Sequence, residues 1–483
     1  MAHFRSIFYL MGWLLLILAV AMIPPAVIDF FENDPDYKAY LLSASITIFL
    51  GVLFVFSNKS SKEIEFDKKD SFLFTTLSWV MAVGFSSLPF LFSSLSLSWT
   101  DAAFETVSGL TTTGSTALKN LESLSKGILF WRATLQWLGG IGIVVMALTL
   151  LADMRIGGME LFQSESSDRS EKFLPRMAQI TKVILLIYIL LTLLCFLALR
   201  AGGMSWFDAI CHSFTTVSTG GFSTHDRSIE YFNSPLIECI LMVFMFLGGT
   251  TQILFAHLGG KNWRLFFQDQ QFQSYARIVM AAVLMIVIWN LLKLKDSPEV
   301  ILTKSTFNMI SSITTTGFGS SDYNGWGSFA LILFFFAPFI GGCTGSTSGG
   351  IKVFRFEVLW EVILIHLQKL RRPHGIFLPK YKSRKISESV FDSVTAFFVL
   401  FIFCFAALSL ALSFLGLDFI TTLSAAGSML TNLGPGLGDL IGPTKTYGDL
   451  EPSVKWILML GMLLGRLELL TILVLFVPSF WKD

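Results

Sequence analysis

Long apolar runs separated by short polar links set the pattern of this chain. Runs near 8–28 and 39–57 come first, joined by an acidic link from Asp29 to Asp36. Others follow near 71–92, 127–152, 178–200, 235–258, 275–293, 328–351, 389–416 and 453–479. A helix needs about 20 apolar residues to cross a bilayer, so the pattern predicts ten spanning helices. Four shorter apolar segments lie between long ones, at 100–112, 206–218, 302–315 and 418–431. They are too short to cross and suit helices that enter the membrane and turn back. Irregular backbone at that depth is tolerated only inside protein or beside a wet cavity.

Each short segment ends in a small polar strip beside a glycine. The strips are Thr111-Thr112-Thr113-Gly114-Ser115, Val217-Ser218-Thr219-Gly220-Gly221, Thr314-Thr315-Thr316-Gly317-Phe318 and Thr431-Asn432-Leu433-Gly434-Pro435. One such strip is a common polar turn; four form an internal repeat. After an opening two-helix hairpin (residues 1–70), the chain divides into four units of span, short helix, loop and span. These are 71–177, 178–274, 275–388 and 389–483. Asp101, Asp208 and Asp418 stand at the starts of three short helices, where a carboxylate suits the free N–H groups and the positive dipole end. In the third, Lys304 stands near that place, so Thr303 or Ser305 is expected to cap. The returning spans carry Gly139-Gly140, Gly248-Gly249, Gly341-Gly342 and Gly461, residues suited to close helix packing.

Composition agrees with a polytopic, all-α membrane protein. Of 483 residues, 53% are hydrophobic and 14% charged, against about 25% charged in a soluble domain. The first run lacks a small-x-small cleavage site before Pro24-Pro25 and reads as an uncleaved helix rather than a signal peptide. With the N-terminus inside, inner segments outnumber outer ones in Lys and Arg by about two to one. This orientation places both termini in the cytoplasm and the four short helices on the outer side. Five scattered cysteines show no disulfide framework or metal spacing. The six histidines form no HExxH, and no GxSxG occurs, which argues against an enzyme.

A short helix entering from outside points its partly negative C-terminal end at the membrane centre, favouring a cation there. Beyond it, glycine permits the positive φ that lets successive carbonyls line a path. Thr112, Thr113, Gly114, Ser218, Thr219, Gly220, Thr315, Thr316, Gly317, Asn432, Leu433 and Gly434 are all neutral. A divalent site normally recruits carboxylates, so the chemistry points to a dehydrated monovalent cation held by backbone oxygens.

This pattern resembles the Trk/Ktr/HKT superfamily of potassium transporters, and within it the bacterial TrkH branch. The resemblance covers the N-terminal hairpin, the four glycine-bearing loops and the closing Gly465-Arg466-Leu467-Glu468. It implies four membrane-pore-membrane repeats around a pseudo-fourfold pore, with a potassium filter built around Gly114, Gly220, Gly317 and Gly434. Glycine at the first filter position, where sodium-carrying plant relatives have serine, favours K+ as the transported ion. The fourth strip departs, with Leu433 and Pro435 where others have Thr and a small residue, and weaker K+/Na+ discrimination is expected from it. The resemblance also implies a homodimer in the bacterial inner membrane, served by cytosolic TrkA-like nucleotide-binding regulatory subunits. No organic cofactor and no nucleic acid is expected on this chain, which lacks a G-x-G-x-x-G with a ribose-binding acid.

The third returning span carries Gly341-Gly342-Cys343-Thr344-Gly345-Ser346-Thr347-Ser348-Gly349-Gly350. So many glycines, each costing about 1 kcal/mol relative to alanine, do not sustain a helix. With the resemblance, Gly345, Gly349 and Gly350 are expected in an intramembrane gating loop under the filter. Arg466 sits within a span, where a charge costs roughly 2.5–3.5 kcal/mol and demands a cavity or partner. The resemblance puts it in the ion path; bonding to loop carbonyls is the structural alternative. Glu468, two residues on, lies on another helix face and is a doubtful partner. The basic stretch Lys369-Leu370-Arg371-Arg372, continuing to Arg384-Lys385, offers a docking face for a partner or for lipid. A proton- or sodium-coupled secondary potassium transporter is the alternative function. Glu238 and Glu468 are the main acids within spans.

Overall fold

The computed structural model describes residues 4–59, 68–154, 173–257, 263–375, 377, 380–381, 384–385, 388–467 and 469–481. These residues are overwhelmingly helical, with one small antiparallel ribbon pairing Lys380 with Lys385 and Tyr381 with Arg384. Six described helices are long and apolar enough to cross a membrane: Phe4–Phe31, Tyr37–Asn58, Lys69–Phe92, Gln179–Ala201, Gln270–Lys293 and Val390–Phe414. Their outer flanks expose large apolar side chains, with Leu292 at 77% and Phe403 at 68%. A continuous surface of that kind suits lipid rather than water.

The first two helices pack closely because Gly12 and Gly51 meet, each standing where a Cβ would press on the other's carbonyl oxygen. This hairpin is tied to the start of helix Lys126–Met154 through Asp29. Its carboxylate accepts hydrogen bonds from the Gly127 N–H at 2.6 Å and the Ser125 hydroxyl at 3.2 Å. A negative group at a helix N-terminus is stabilised by the free donors there.

Two of the four returning spans differ from the continuous helices predicted for them, and a third breaks at its glycine-rich stretch, as expected. Lys126–Met154 is unbroken. The run at 235–258 stops as Pro235–Gly248 and resumes as a single 3-10 segment, Gln252–His257. The run at 328–351 ends as Ser328–Ile340, just after Pro338 and at Gly341, whose φ is 70°. The chain then runs irregularly to Lys352 before helix Val353–Arg371. The run at 453–479 ends as Pro452–Arg466 and continues in short turns, Leu470–Leu473 and Val474–Phe476. Glu468 lies outside the described residues, as do residues 376, 378–379, 382–383 and 386–387 of the basic stretch.

The four short helices are Trp99–Leu110, Trp206–Val217, Pro298–Ile313 and Phe419–Thr431. Serine takes the cap in the first two. Ser98 accepts from the Asp101 N–H at 3.1 Å and donates to its carboxylate at 2.7 Å; Ser205 and Asp208 repeat this at 3.0 and 2.7 Å. Asp418 caps the fourth, accepting from the Thr421 N–H at 3.1 Å. That bonding with Thr421 holds its carboxyl below the usual carboxylate range. The third helix corrects the sequence expectation. It starts earlier, at Pro298 after Ser297, so Thr303 and Ser305 are interior residues. Pro needs no N–H partner at this first position, which extends the helix outward.

Candidate cation site

Each short helix ends in the same conformation. Its cap residue, Thr111, Ser218 or Thr314, keeps a near-helical backbone, and the next residue turns left-handed. Those left-handed residues are Thr112, Thr219, Thr315 and Asn432, with φ of 53°, 52°, 56° and 55°. The following N–H folds back on the helix: Thr113 to Ser108, Gly220 to Thr215, Thr316 to Ser311 and Leu433 to Ser428, at 2.9, 2.8, 2.9 and 3.0 Å. Then comes a glycine of positive φ: Gly114 (84°), Gly221 (77°), Gly317 (82°) and Gly434 (109°).

This equivalence moves the second strip by one residue. Sequence alignment on the first glycine matched Ser218-Thr219-Gly220 to Thr112-Thr113-Gly114. Conformation matches Thr219-Gly220-Gly221 instead, because Ser218 still closes the helix, bonding to the Phe214 carbonyl at 3.3 Å. Where two glycines stand side by side, only the torsion angles tell which one the turn requires.

The glycines interlock the strips. A Cβ on Gly114 would collide with the Gly220 carbonyl oxygen, and one on Gly221 with that of Thr316. Likewise Gly317 seats against the Leu433 carbonyl and Gly434 against that of Thr113. The fourth strip thus closes on the first, and the ring accepts only glycine at these positions.

Thr112, Thr219, Thr315 and Asn432 are at most 1% exposed. Among the described residues, no N–H or O–H donates to their carbonyl oxygens. Buried carbonyls are seldom left without a donor or a cation. Most hydroxyls nearby are already engaged: Thr111 with Thr113 at 2.7 Å, and Thr314 with Thr316 at 2.8 Å. The Asn432 amide donates to the Thr113 hydroxyl at 3.0 Å and the Met462 carbonyl at 2.9 Å. What remains is a neutral, acceptor-rich ring, suited to a cation that has shed its water.

The glycine-rich segment 341–350 lies against the inner ends of these strips. The Gly349 N–H donates to the Thr315 hydroxyl at 2.6 Å, and the Gly350 N–H to the Thr431 carbonyl at 3.0 Å. Thr219 and Thr347 hydroxyls meet at 3.3 Å, and Thr347 also donates to the Val217 carbonyl at 2.9 Å. Gly345 accepts from the Gln252 N–H at 3.1 Å, tying the segment to the broken second returning span. Arg466 is 3% exposed. Its guanidinium donates to the Thr347 carbonyl at 2.9 Å and to that of Gly139 at 3.4 Å. Its Nε has no partner, and no carboxylate pairs with it among the described residues. The arginine therefore bonds to carbonyls and keeps its charge uncompensated there.

Three buried or half-buried ion pairs brace the ring, and sequence reading missed them as pairs. Arg132 meets Glu105 at 2.6 Å, both at most 1% exposed. Lys304 meets Glu238 at 2.8 Å and also donates to the Ser320 carbonyl at 2.8 Å. Lys455 meets Asp101 at 2.6 Å, joining the last unit to the first. Removing one partner from such a pair leaves an uncompensated buried charge. The available signal was a charged residue inside an otherwise apolar helix.

A multi-helix membrane chain with a buried ring of bare carbonyls, and no ionisable group on that ring, falls within the class of cation transport proteins. More narrowly, the chain belongs to the TrkH family, described as cation transport proteins, whose profile matches residues 38–483. It is 41% identical to the Trk system potassium uptake protein TrkI of Halomonas elongata, covering 97% of this chain and 95% of that one. It is 37% identical to the Trk system potassium uptake protein TrkH of Salmonella typhimurium over the full length of both. The crystal structure of the potassium transporter TrkH from Vibrio parahaemolyticus is similar with a TM-score of 0.91 at 35% identity. That match covers 99% of this chain and 100% of the other.

Proposed function

We propose that this chain takes up potassium ions through the ring of strips Thr112-Thr113-Gly114, Thr219-Gly220-Gly221, Thr315-Thr316-Gly317 and Asn432-Leu433-Gly434. The observation that carries the reading is the set of four buried, unpartnered carbonyls at equivalent left-handed positions. Four oxygens at one level replace part of a potassium ion's hydration shell, and adjacent levels supply the rest. The C-terminal ends of the four short helices add negative potential below. The printed names of the relatives, potassium uptake proteins and a potassium transporter, agree with this choice of ion.

In this reading the chain is a two-helix hairpin, residues 1–70, followed by pore units 71–177, 178–274, 275–388 and 389–483. Ten spans, three of them broken, surround a pseudo-fourfold path. The segment 341–350 is the gate, with Gly345, Gly349 and Gly350 as its pivots. Its bonds to Thr315 and Thr431 support this, because they seat the segment against the third and fourth strips. Arg466 holds the gate through Thr347 and sets a positive charge across the path. The protein sits in the inner membrane with both termini in the cytoplasm, as a homodimer. Its basic stretch Lys369–Arg372 docks TrkA-like nucleotide-binding subunits, which move the gate.

Currents across liposomes holding the purified protein test the reading. Opposed K+, Na+ and H+ gradients are expected to give a reversal potential that follows K+. A current that follows the proton or sodium gradient instead supports the coupled transporter. No cation flux, with or without the regulatory partner, overturns the proposal.

A further inference from the structure

Position 220 is glycine for a reason different from that of Gly114, Gly221, Gly317 and Gly434. Those four have positive φ, whereas Gly220 does not. Its counterparts carry side chains: Thr113, Thr316 and Leu433. Backbone conformation therefore leaves room for a side chain at 220. The obstacle is Gln136, whose amide group occupies the space a Cβ would take.

Gln136 is fully buried and grips the second strip at two points. Its Nε2 donates to the Gly220 carbonyl at 2.6 Å, and its Oε1 accepts from the Phe222 N–H at 3.0 Å. The two bonds straddle Gly221. One helical turn earlier on the same face, Arg132 donates to the Ser223 carbonyl at 3.0 Å, stacks on Phe222 at 4.2 Å and pairs with Glu105. Glu105 in turn accepts from Thr116 at 3.0 Å and the Ala117 N–H at 2.9 Å, beyond the first strip. A single helix face thus ties two neighbouring strips together.

Among the described residues, no other returning helix carries such a clamp. Gly139, Gly248 and Gly465 each pack on the end of a short helix, against Leu110, Val217 and Leu430. Three residues before each stand Gln136, Met245 and Met462. A methionine neither donates strongly nor accepts strongly. The clamp is found where two adjacent glycines make the strip most permissive, and where the backbone has most freedom to lose.

We propose that Gln136 is a positioning residue that fixes the Gly220 carbonyl and thereby sets cation selectivity at the second strip. This rests on the reading of the strips as a potassium filter. Gln136 and Gly220 form a matched pair: the amide supplies the order that a side chain at 220 supplies elsewhere.

The test uses the full chain in liposomes and the reversal potential between K+ and Na+. Gln136→Met is expected to lower the K+ to Na+ permeability ratio about five- to tenfold, the scale of one buried hydrogen bond, while K+ flux persists. Gln136→Leu removes both the donor to Gly220 and the acceptor for Phe222 at similar side-chain length, and is expected to lower the ratio at least as much. Gly220→Thr alone is expected to lose flux, since its side chain meets the amide. Gln136→Met combined with Gly220→Thr imports the residue types of the first and third strips, and is expected to recover flux and most of the selectivity. An unchanged ratio in Gln136→Leu or Gln136→Met overturns the proposal. So does a double variant no better than Gly220→Thr. A wild-type protein that passes no cation, or that passes cations without preference for K+, overturns the filter reading and this proposal together, whereas the variant results bear on this proposal alone.

Discussion

Three strips hold a threonine in the left-handed region, while the fourth holds an asparagine. In sequence the fourth looks degraded, with Leu433 and Pro435 in place of polar or small neighbours. Its backbone follows the other three all the same, with Asn432 at 55° and the Leu433 N–H on the Ser428 carbonyl. A β-branched residue at positive φ is strained, by about 1–3 kcal/mol. Asparagine adopts it with less cost. The strip that departs most in side chains is therefore the least strained. The ring is specified by torsion angles and by glycine against carbonyl, and side chains serve to hold it. Asn432 does this by bonding across to Thr113, which closes the fourth strip on the first.

The largest effect is expected at the interlocking glycines. Gly221→Ala should abolish K+ selectivity and destabilise the ring by about 2–4 kcal/mol, as should Gly114→Ala. Reversal potentials and thermal unfolding in detergent check both. If Gly221→Ala proves mild, the one-residue shift of the second strip is wrong. Next comes Arg466→Ala, which removes a buried charge from the proposed path. It should raise unregulated K+ flux at least about tenfold in liposomes lacking the partner. Unchanged flux would separate Arg466 from the proposed gate. Asn432→Thr tests the comparison itself. It adds left-handed strain and removes two hydrogen bonds, for a loss of about 2–3 kcal/mol, read as a lowered midpoint of thermal unfolding. Thr315→Val leaves the Gly349 N–H without its acceptor, weakening the seating of segment 341–350 by about 1–3 kcal/mol. More frequent openings in single-channel records are the expected sign. The smallest change in selectivity should come from Leu433→Thr. It costs folding stability about 1–2 kcal/mol yet should move the permeability ratio less than about twofold, since the carbonyl stays in place.

The uninterrupted spans were legible because lipid-facing apolar runs need no tertiary information. Helix Gln270–Lys293 is an example, found within a few residues of the run at 275–293. The breaks after Gly248 and Arg466 were not. Each depends on contacts with another unit, such as the Cys343 and Thr347 N–H groups that bond to Gly249 and Gly248. The break at Gly341 was legible from glycine density alone. At the ring, recurrence revealed four strips, but adjacent glycines hid the register of the second. The pair of Arg132 with Glu105 joins residues on different helices, and no local pattern announces it. Gln136 was overlooked for the same reason: a lone glutamine in an apolar helix has many ordinary explanations, and its meaning lies in Gly220.

The central claim is that four backbone carbonyls, at Thr112, Thr219, Thr315 and Asn432, surround a potassium ion. Crystals of this protein soaked in rubidium, measured for anomalous scattering, address it most directly. The expected result is a peak on the axis between the four strips, ringed by those oxygens and displaced by excess K+ but not by Na+. No peak at the ring, or one that sodium removes as readily as potassium, would contradict it.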